Sequence, residues 1–116
     1  MRDDEAYLRD MIAACERLGV VSRGVSDDVL LSPEGLHRGT ILHLFTVLGE
    51  AAKHIAPETR ARRPEVPWSD IAGMRDKVVH YYFGLDEIVV ADAVRRSVPH
   101  DLPALRSLLA ELEAED

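Results

Sequence analysis

The chain has 116 residues, of which 47% are hydrophobic, and it carries a formal net charge of −7. This length predicts a single domain over residues 1–116 with one apolar core. The acidic balance argues against non-specific coating of nucleic acid, and no run of about 18 apolar residues is present to span a membrane. A charged N-terminus without a signal-peptide pattern, together with a single cysteine, predicts a cytoplasmic protein without an intramolecular disulfide.

Helical periodicity dominates the first half of the chain. A first helix is expected over about residues 3–20, followed by a short helical turn that begins at Ser26. The pair Ser32-Pro33 is a typical N-cap with proline at the first helical position, and predicts a long helix from there to about Ile55. Its apolar face holds Ile41, Leu44, Phe45, Leu48, Ala52 and Ile55.

The second half continues the helical pattern. A short helical piece is expected between Pro57 and Pro64, and Pro67 opens a helix over about 68–82. Asp86 is expected to cap a helix over about 87–98, which Pro99 ends. Asp101 is expected to cap a last helix with a stripe of leucines. The sequence therefore predicts an all-α fold, an antiparallel bundle of about five helices.

The segment RDKVVHYY, Arg75 to Tyr82, is the strongest functional signal. It combines a cation that suits phosphate, an imidazole that exchanges protons near neutral pH and a phenolic hydroxyl. For an arbitrary helix, solvated charges followed by packed valines and aromatics would be the ordinary interpretation.

The context of this segment resembles the HEPN superfamily, in particular the HepT-like toxins that are paired with minimal nucleotidyltransferase (MNT) antitoxins. Arg75, His80 and Tyr82 fit the family's Arg-x4-His-x-Tyr motif, and Asp76 is the polar residue that often follows the arginine. The stretches LGEAAKHI at 48–55 and PETRARRPEVPWSDIAGMRDKVVHYYFGLD at 57–86 resemble the family's flanking pattern. Tyr81 departs from it, because the family commonly has a small residue there.

The resemblance implies a HEPN-like bundle and a metal-independent endoribonuclease with no cofactor, in which the ribose 2′-hydroxyl attacks the neighbouring phosphate. His80 would act as general base or acid, and Arg75 would bind the phosphate. Asp76 would orient Arg75 or His80, with an ordinary surface acid as the equal alternative, and Glu50 would hold Arg75 or line the cleft. The substrate would be RNA, with transfer RNA and messenger RNA both open.

Helix geometry makes Arg75 and His80 an awkward pair. Five residues place them about 140° apart around a straight helix and about 7.5 Å apart along it. Either the helix loosens near Gly84 or a second copy of the chain completes the site, and the resemblance implies the second, a homodimer. A basic stretch of Lys53, Arg60, Arg62 and Arg63 could then flank the cleft.

Tyr82 has a separate implied role. In the HepT-like branch this tyrosine receives AMP from the nucleotidyltransferase antitoxin, which would add negative charge beside the cleft. The alternative is a packed tyrosine with a hydrogen-bonded hydroxyl.

Other interpretations stay open. The chain could be a non-catalytic docking or binding subunit of a nucleotidyltransferase complex, or a purely structural adaptor. His43, Glu50 and His54 lie along one stripe of a helix, but no second Glu-x-x-His helix completes a metal site, so no metal is expected. Cys15 and Trp68 are interpreted as core residues.

Overall fold

A computed structural model describes residues 2–80 and 87–116, with the side chains of 3–76 and 87–116. The helices in these ranges are joined by short non-helical segments and no strand is present there, which confirms the all-α antiparallel bundle. The elements are α1 (Arg2–Ser22), α2 (Asp27–Leu30), α3 (His37–His54), α4 (Pro57–Arg60), α5 (Trp68–His80), α6 (Glu87–Asp92), a π-helical turn (Ala93–Ser97) and α7 (Val98–Glu115). The predicted cap at Asp86 lies outside the described residues.

The core forms where α3 packs against both α1 and α5 while α7 packs against α1. Every position of the predicted apolar face of α3 is buried, so this prediction is confirmed. The leucine stripe of α7 also turns inward, with Leu105 and Leu108 at 0% exposure. Apolar spacing at 3.6 residues per turn thus decides which side of each long helix faces the core.

The acidic first turn of α1 fastens the end of α3 and the start of α4. Asp4 is 2% exposed and accepts hydrogen bonds from the Ala56 backbone N–H at 3.2 Å and the Thr59 Oγ1 at 2.5 Å. A carboxylate near a helix N-terminus also suits the helix dipole. Asp4 therefore has a tertiary role that the sequence pattern did not indicate.

The long central helix begins later than predicted, at His37 rather than at Ser32-Pro33. The Gly35 N–H bonds back to the Ser32 carbonyl at 3.0 Å and closes a turn there. Arg38, 8% exposed, donates through Nη1 to the Leu31 carbonyl at 2.9 Å and to Glu87 Oε1 at 3.1 Å. This buried guanidinium ties the start of α3 to α2 and α6, a tertiary contact that overrides the local cap signal.

The prediction that Pro99 ends a helix is also wrong. The chain stays helical from Glu87 to Glu115, so Asp101 lies within a helix and does not cap one. A proline inside an α-helix lacks an N–H and crowds the carbonyl four residues earlier. The π-helical turn just before Pro99 widens the backbone at that point and accommodates the ring.

Two core predictions are confirmed. Cys15 is 4% exposed, and burial raises the pKa of its thiol to about 12, so this group stays protonated at neutral pH. Trp68 is buried and its Nε1 donates to the Arg63 carbonyl at 3.0 Å. Across 2–80 and 87–116, every helix is too short or too polar to cross a bilayer.

Candidate active site

Gly49 sets the distance between the two helices that carry the candidate site. A Cβ at this position would lie 2.9 Å from the Ile71 carbonyl oxygen and 3.2 Å from the Arg75 backbone nitrogen, and closer still to Arg75 Cβ. Real side chains do not tolerate such contacts with backbone atoms. Glycine is therefore required so that α5 can lie directly against α3 at the level of Arg75.

This close approach brings Arg75 beside two carboxylates. Its Nε lies 2.9 Å from Glu50 Oε2 on α3, and its Nη1 lies 3.3 Å from Asp76 Oδ1 on α5. The contact with Glu50 is an ion pair and not an aligned hydrogen bond, because Nε finds no acceptor in line with its N–H among the described residues. The arginine side chain is held by these two carboxylates, and because it is 30% exposed it still reaches solvent.

Neither of these two contacts uses Nη2 of Arg75. A guanidinium presents five N–H donors in a rigid plane, and a phosphate accepts from such an edge. The bracing therefore leaves donors of Arg75 suited to an anionic oxygen. Arg75, Asp76 and Glu50, the candidate residues from the sequence, are brought together.

A fourth charged residue completes this cluster. Lys53, one turn after Glu50 on α3, places Nζ 2.8 Å from Asp76 Oδ1. Its hydrogen bond, together with that from Arg75, holds the pKa of Asp76 below its ordinary value against a smaller opposing effect of burial. Asp76 is consequently a carboxylate over the whole neutral range.

His80 and Tyr82 are located only in part. His80 is the last residue of α5, and its side chain and all of Tyr82 lie outside the described residues. Because α5 stays α-helical from Arg75 to His80, about 7.5 Å and about 140° separate these two positions. The two positions therefore lie on different faces of α5.

Glu50 also lies near His54, one turn further along α3. Its Oε1 lies 3.8 Å from His54 Nε2, and the His54 ring stacks on Tyr7 with 5.0 Å between ring centroids. His43 is exposed on the same helix. Within the part of the chain that the structure describes, no group of three or more histidine, cysteine, aspartate or glutamate side chains is placed to hold a metal ion.

The basic stretch does not form the free flank that the sequence suggested. Arg62 pairs with Glu111 at 3.1 Å and with Glu115 at 2.6 Å, and Arg63 pairs with Glu111 at 2.6 Å. These arginines fasten the acidic end of α7 to the loop before α5. Glu111 and Glu115 of α7 therefore neutralise Arg62 and Arg63.

A groove of about 460 Å³ lies elsewhere, between α3, α5 and the π-helical turn with α7. Apolar side chains that include Phe45, Met74 and Leu105 line it. Arg75, Glu50 and Asp76 do not line this groove. The charged cluster and the largely apolar groove are therefore distinct features of the surface.

Sequence reasoning missed the parts played by Gly49 and Lys53 in this cluster. A signal for both was present in the stretch LGEAAKHI. A glycine close to alanines within a helix, such as Gly49, indicates close packing of a neighbouring helix. Glu50 and Lys53, three residues apart, share one face of the helix. The charges of Glu50 and Lys53 are complementary to those of Arg75 and Asp76, which are adjacent on α5.

Comparison with known proteins defines the class to which this bundle and cluster belong. The family model described as "Ribonuclease HepT-like" matches residues 11–112. The chain therefore belongs to the HepT-like family of the HEPN superfamily. No solved structure matches the chain.

Three relatives illustrate the similarity. The protein named "Putative RNase MJ0127" from Methanocaldococcus jannaschii is 29% identical over 99% of this chain and 94% of its own length. "Putative RNase TTE0752" from Caldanaerobacter subterraneus is 32% identical, covering 85% of this chain and 88% of the relative. "Probable ribonuclease HepT" from Thermococcus cleftensis is 31% identical, covering 84% and 88%.

Proposed function

We propose that this chain is a metal-independent endoribonuclease and the toxin of a cytoplasmic HEPN/MNT toxin–antitoxin pair. The observation that carries the proposal is the bracing of Arg75 by Glu50 and Asp76 on the helix that ends at His80. The family to which the chain belongs and the names of its relatives both denote ribonucleases, which supports the same activity.

The proposed reaction is an internal transesterification of RNA. The ribose 2′-oxygen forms a bond to the adjacent phosphorus, the bond to the 5′-oxygen breaks, and a cyclic phosphate and a 5′-hydroxyl result. His80 would act as general base on the 2′ proton or as general acid on the leaving 5′-oxygen, with water exchanging the other proton. Arg75 would stabilise the charge that develops on the phosphate oxygens.

The direct test is RNA cleavage by the purified chain in excess chelator. Arg75→Ala and His80→Ala should each reduce the cleavage rate by about 10²–10³-fold, because each removes a group that acts in the transition state. Arg96→Ala is the control, since this arginine is 84% exposed on the π-helical turn. Undiminished cleavage by His80→Ala would remove His80 from the mechanism, and a requirement for added divalent metal would contradict metal independence.

We also propose the homodimer that the family resemblance implies, and the separation of Arg75 and His80 on a regular helix supports it. Mixing the Arg75→Ala and His80→Ala variants, after unfolding and refolding together, tests it. If the site joins Arg75 of one chain to His80 of another, mixed dimers contain one intact site and recover part of the activity. If both residues act from the same chain, no mixture recovers activity.

Tyr82 is the proposed target of the antitoxin, a nucleotidyltransferase that would attach AMP from ATP and release pyrophosphate. The added phosphate charge would compete for Arg75 and block RNA. Mass spectrometry after incubation with the partner enzyme and ATP should find AMP on Tyr82. AMP attached to another residue, with Tyr82 unmodified, would defeat this assignment.

One observation favours a second candidate, a non-catalytic docking subunit of the nucleotidyltransferase. Arg62 and Arg63 are neutralised by α7, which leaves fewer cations for RNA than the sequence suggested. Expression of the chain alone separates the two functions. A nuclease arrests growth and Arg75→Ala relieves the arrest, whereas a docking subunit is harmless in both forms.

A further inference from the structure

Lys53 is the member of the charged cluster to which the motif assigns no role. Its Nζ lies 2.8 Å from Asp76 Oδ1, the same oxygen that lies 3.3 Å from Arg75 Nη1. One carboxylate oxygen is therefore shared between a lysine of α3 and an arginine of α5. Any movement of Lys53 changes the position of the oxygen against which Arg75 rests.

The charges alternate across the interface between the two helices. Glu50 and Lys53 stand three residues apart on α3, and they contact Arg75 and Asp76 on α5, respectively. Gly49 fixes the height at which the two helices meet, so the register of these pairs is set by the packing. The cluster contains two contacts between helices, and Lys53 supplies one of them.

Lys53 has a larger electrostatic effect on Asp76 than Arg75 has. The Lys53 hydrogen bond is the foremost cause that lowers the pKa of this carboxyl, ahead of the bond from Arg75. Without Lys53, Asp76 would keep its 3.3 Å contact with Arg75 alone among the contacts of this cluster, and its side chain could turn toward water.

We infer that Lys53 is a positioning residue, which orients Asp76 so that Asp76 holds the Arg75 guanidinium toward the RNA phosphate. For its effect on rate, this inference rests on the proposed ribonuclease activity. Lys53 itself contacts no reacting atom. Misplacement of a catalytic group by about 1 Å can cost about 10²-fold in rate, so loss of Lys53 should be measurable.

Three variants separate positioning from simple fastening of the helices. Lys53→Met keeps the aliphatic stem and removes the charge, and it should slow single-turnover cleavage by about 10- to 10²-fold. Lys53→Arg should recover most of the rate. The exchange Lys53→Asp with Asp76→Lys restores an ion pair between the helices but puts a cation beside Arg75, so it should recover thermal stability and not cleavage.

Arg106→Met is the matched control. This arginine joins α7 to α1 through Glu16 at 3.1 Å, and Glu16 is about as exposed as Asp76, while Arg106 is 55% exposed against 37% for Lys53. Its loss removes one surface ion pair between helices far along the chain from the cluster. Cleavage should be unchanged.

A second measurement does not depend on activity. The pKa of Asp76, followed by carboxyl NMR, should rise in Lys53→Met toward the ordinary value and stay low in Arg106→Met. If wild type and Lys53→Met cleave at equal rates, or if the exchange variant recovers cleavage, the positioning role is overturned while the ribonuclease stands. If the wild-type chain cleaves no RNA, the proposed function fails, and the positioning role of Lys53 in cleavage fails with it.

Discussion

Two arginine clusters in this molecule use the same chemistry for different ends. Arg62 and Arg63 meet Glu111 and Glu115, which stand on a helix about 50 residues further along the chain and are held in place by them. Arg75 meets Glu50 and Asp76, which belong to the two helices whose packing is already fixed at Gly49. The first cluster fastens a helix, and the second holds an arginine.

The comparison teaches that salt bridges do not by themselves identify a site. What distinguishes the Arg75 cluster is that the packing of α3 on α5 would exist without it, so its carboxylates constrain a side chain that remains 30% exposed. In the other cluster, the arginines serve the docking of α7. The same kind of substitution should therefore mainly reduce activity in the Arg75 cluster and mainly reduce stability in the cluster of Arg62 and Arg63.

The largest effect is expected from Gly49→Ala. The new methyl group would force α5 away from α3, because it meets backbone atoms that cannot move alone. Overpacking should lower the free energy of unfolding by about 1–3 kcal/mol and displace Arg75. Chemical denaturation and RNA cleavage would both show the change.

The control for this substitution is Gly39→Ala in the same helix. A Cβ there meets nothing within 4 Å, and the position is exposed. Alanine should stabilise the helix by about 0.5–1 kcal/mol and leave cleavage unchanged. Equal behaviour of the two alanine variants would contradict the close packing at Gly49.

Replacing arginine by lysine should sharpen the contrast between the clusters. Arg75→Lys keeps the charge and loses the planar fork, so cleavage should fall by about 10- to 10²-fold with little change in the melting temperature. Arg63→Lys should leave cleavage unchanged, because the hydrogen bonds of the Arg63 side chain go to α7 and to its own loop. A loss of cleavage in Arg63→Lys equal to that in Arg75→Lys would erase the distinction.

Arg63→Met should loosen α7 slightly. The pair with Glu111 is at the surface, where ion pairs contribute little and are screened by salt. A decrease in melting temperature smaller than that of Gly49→Ala is expected, and added salt should lessen it. A thermal melt at low and high ionic strength is the measurement, with Arg96→Met as the control arginine.

The smallest effect concerns acid. Hydrogen bonds from Arg63, and then Arg62, hold the pKa of Glu111 below its ordinary 4.5 against the opposing effect of burial. Since the folded pKa is the lower one, this pair stabilises the fold above the ordinary pKa, and the contribution is lost as pH falls through the folded value. Stability measured between pH 6 and 3 should therefore decline less steeply in Arg63→Met than in wild type. Parallel curves would contradict the pairing.

Local periodicity explains why much of the fold could be predicted. The buried faces of α3 and α7 follow directly from the spacing of their apolar residues, and Ser26 caps α2 as its type suggests by accepting from the Val29 N–H at 3.3 Å. Helix boundaries were less predictable where a tertiary contact decided them. The start at His37 depends on the buried Arg38, and the π-helical turn permits a helix to pass through Pro99.

The contacts of Arg75 within the site could be proposed from the sequence, but the contacts of Lys53 and of Arg62 could not. The motif and its flanks indicated Glu50, Arg75 and Asp76, which the structure brings together. The partnership of Lys53 with Asp76, 23 residues apart, and that of Arg62 with Glu115, 53 apart, depend on how the helices are stacked. Spacing along one helix carries no information about such contacts.

The central claim is that the Arg75 guanidinium, held by Glu50 and Asp76, acts on the RNA phosphate. Chemical rescue tests it most directly, because Arg75→Ala leaves both carboxylates around a space that fits a guanidinium ion. The account predicts that Arg75→Ala cleaves RNA slowly in chelator, that millimolar guanidinium recovers part of the rate, and that His80→Ala gains nothing. Cleavage by Arg75→Ala at the wild-type rate without guanidinium would contradict it.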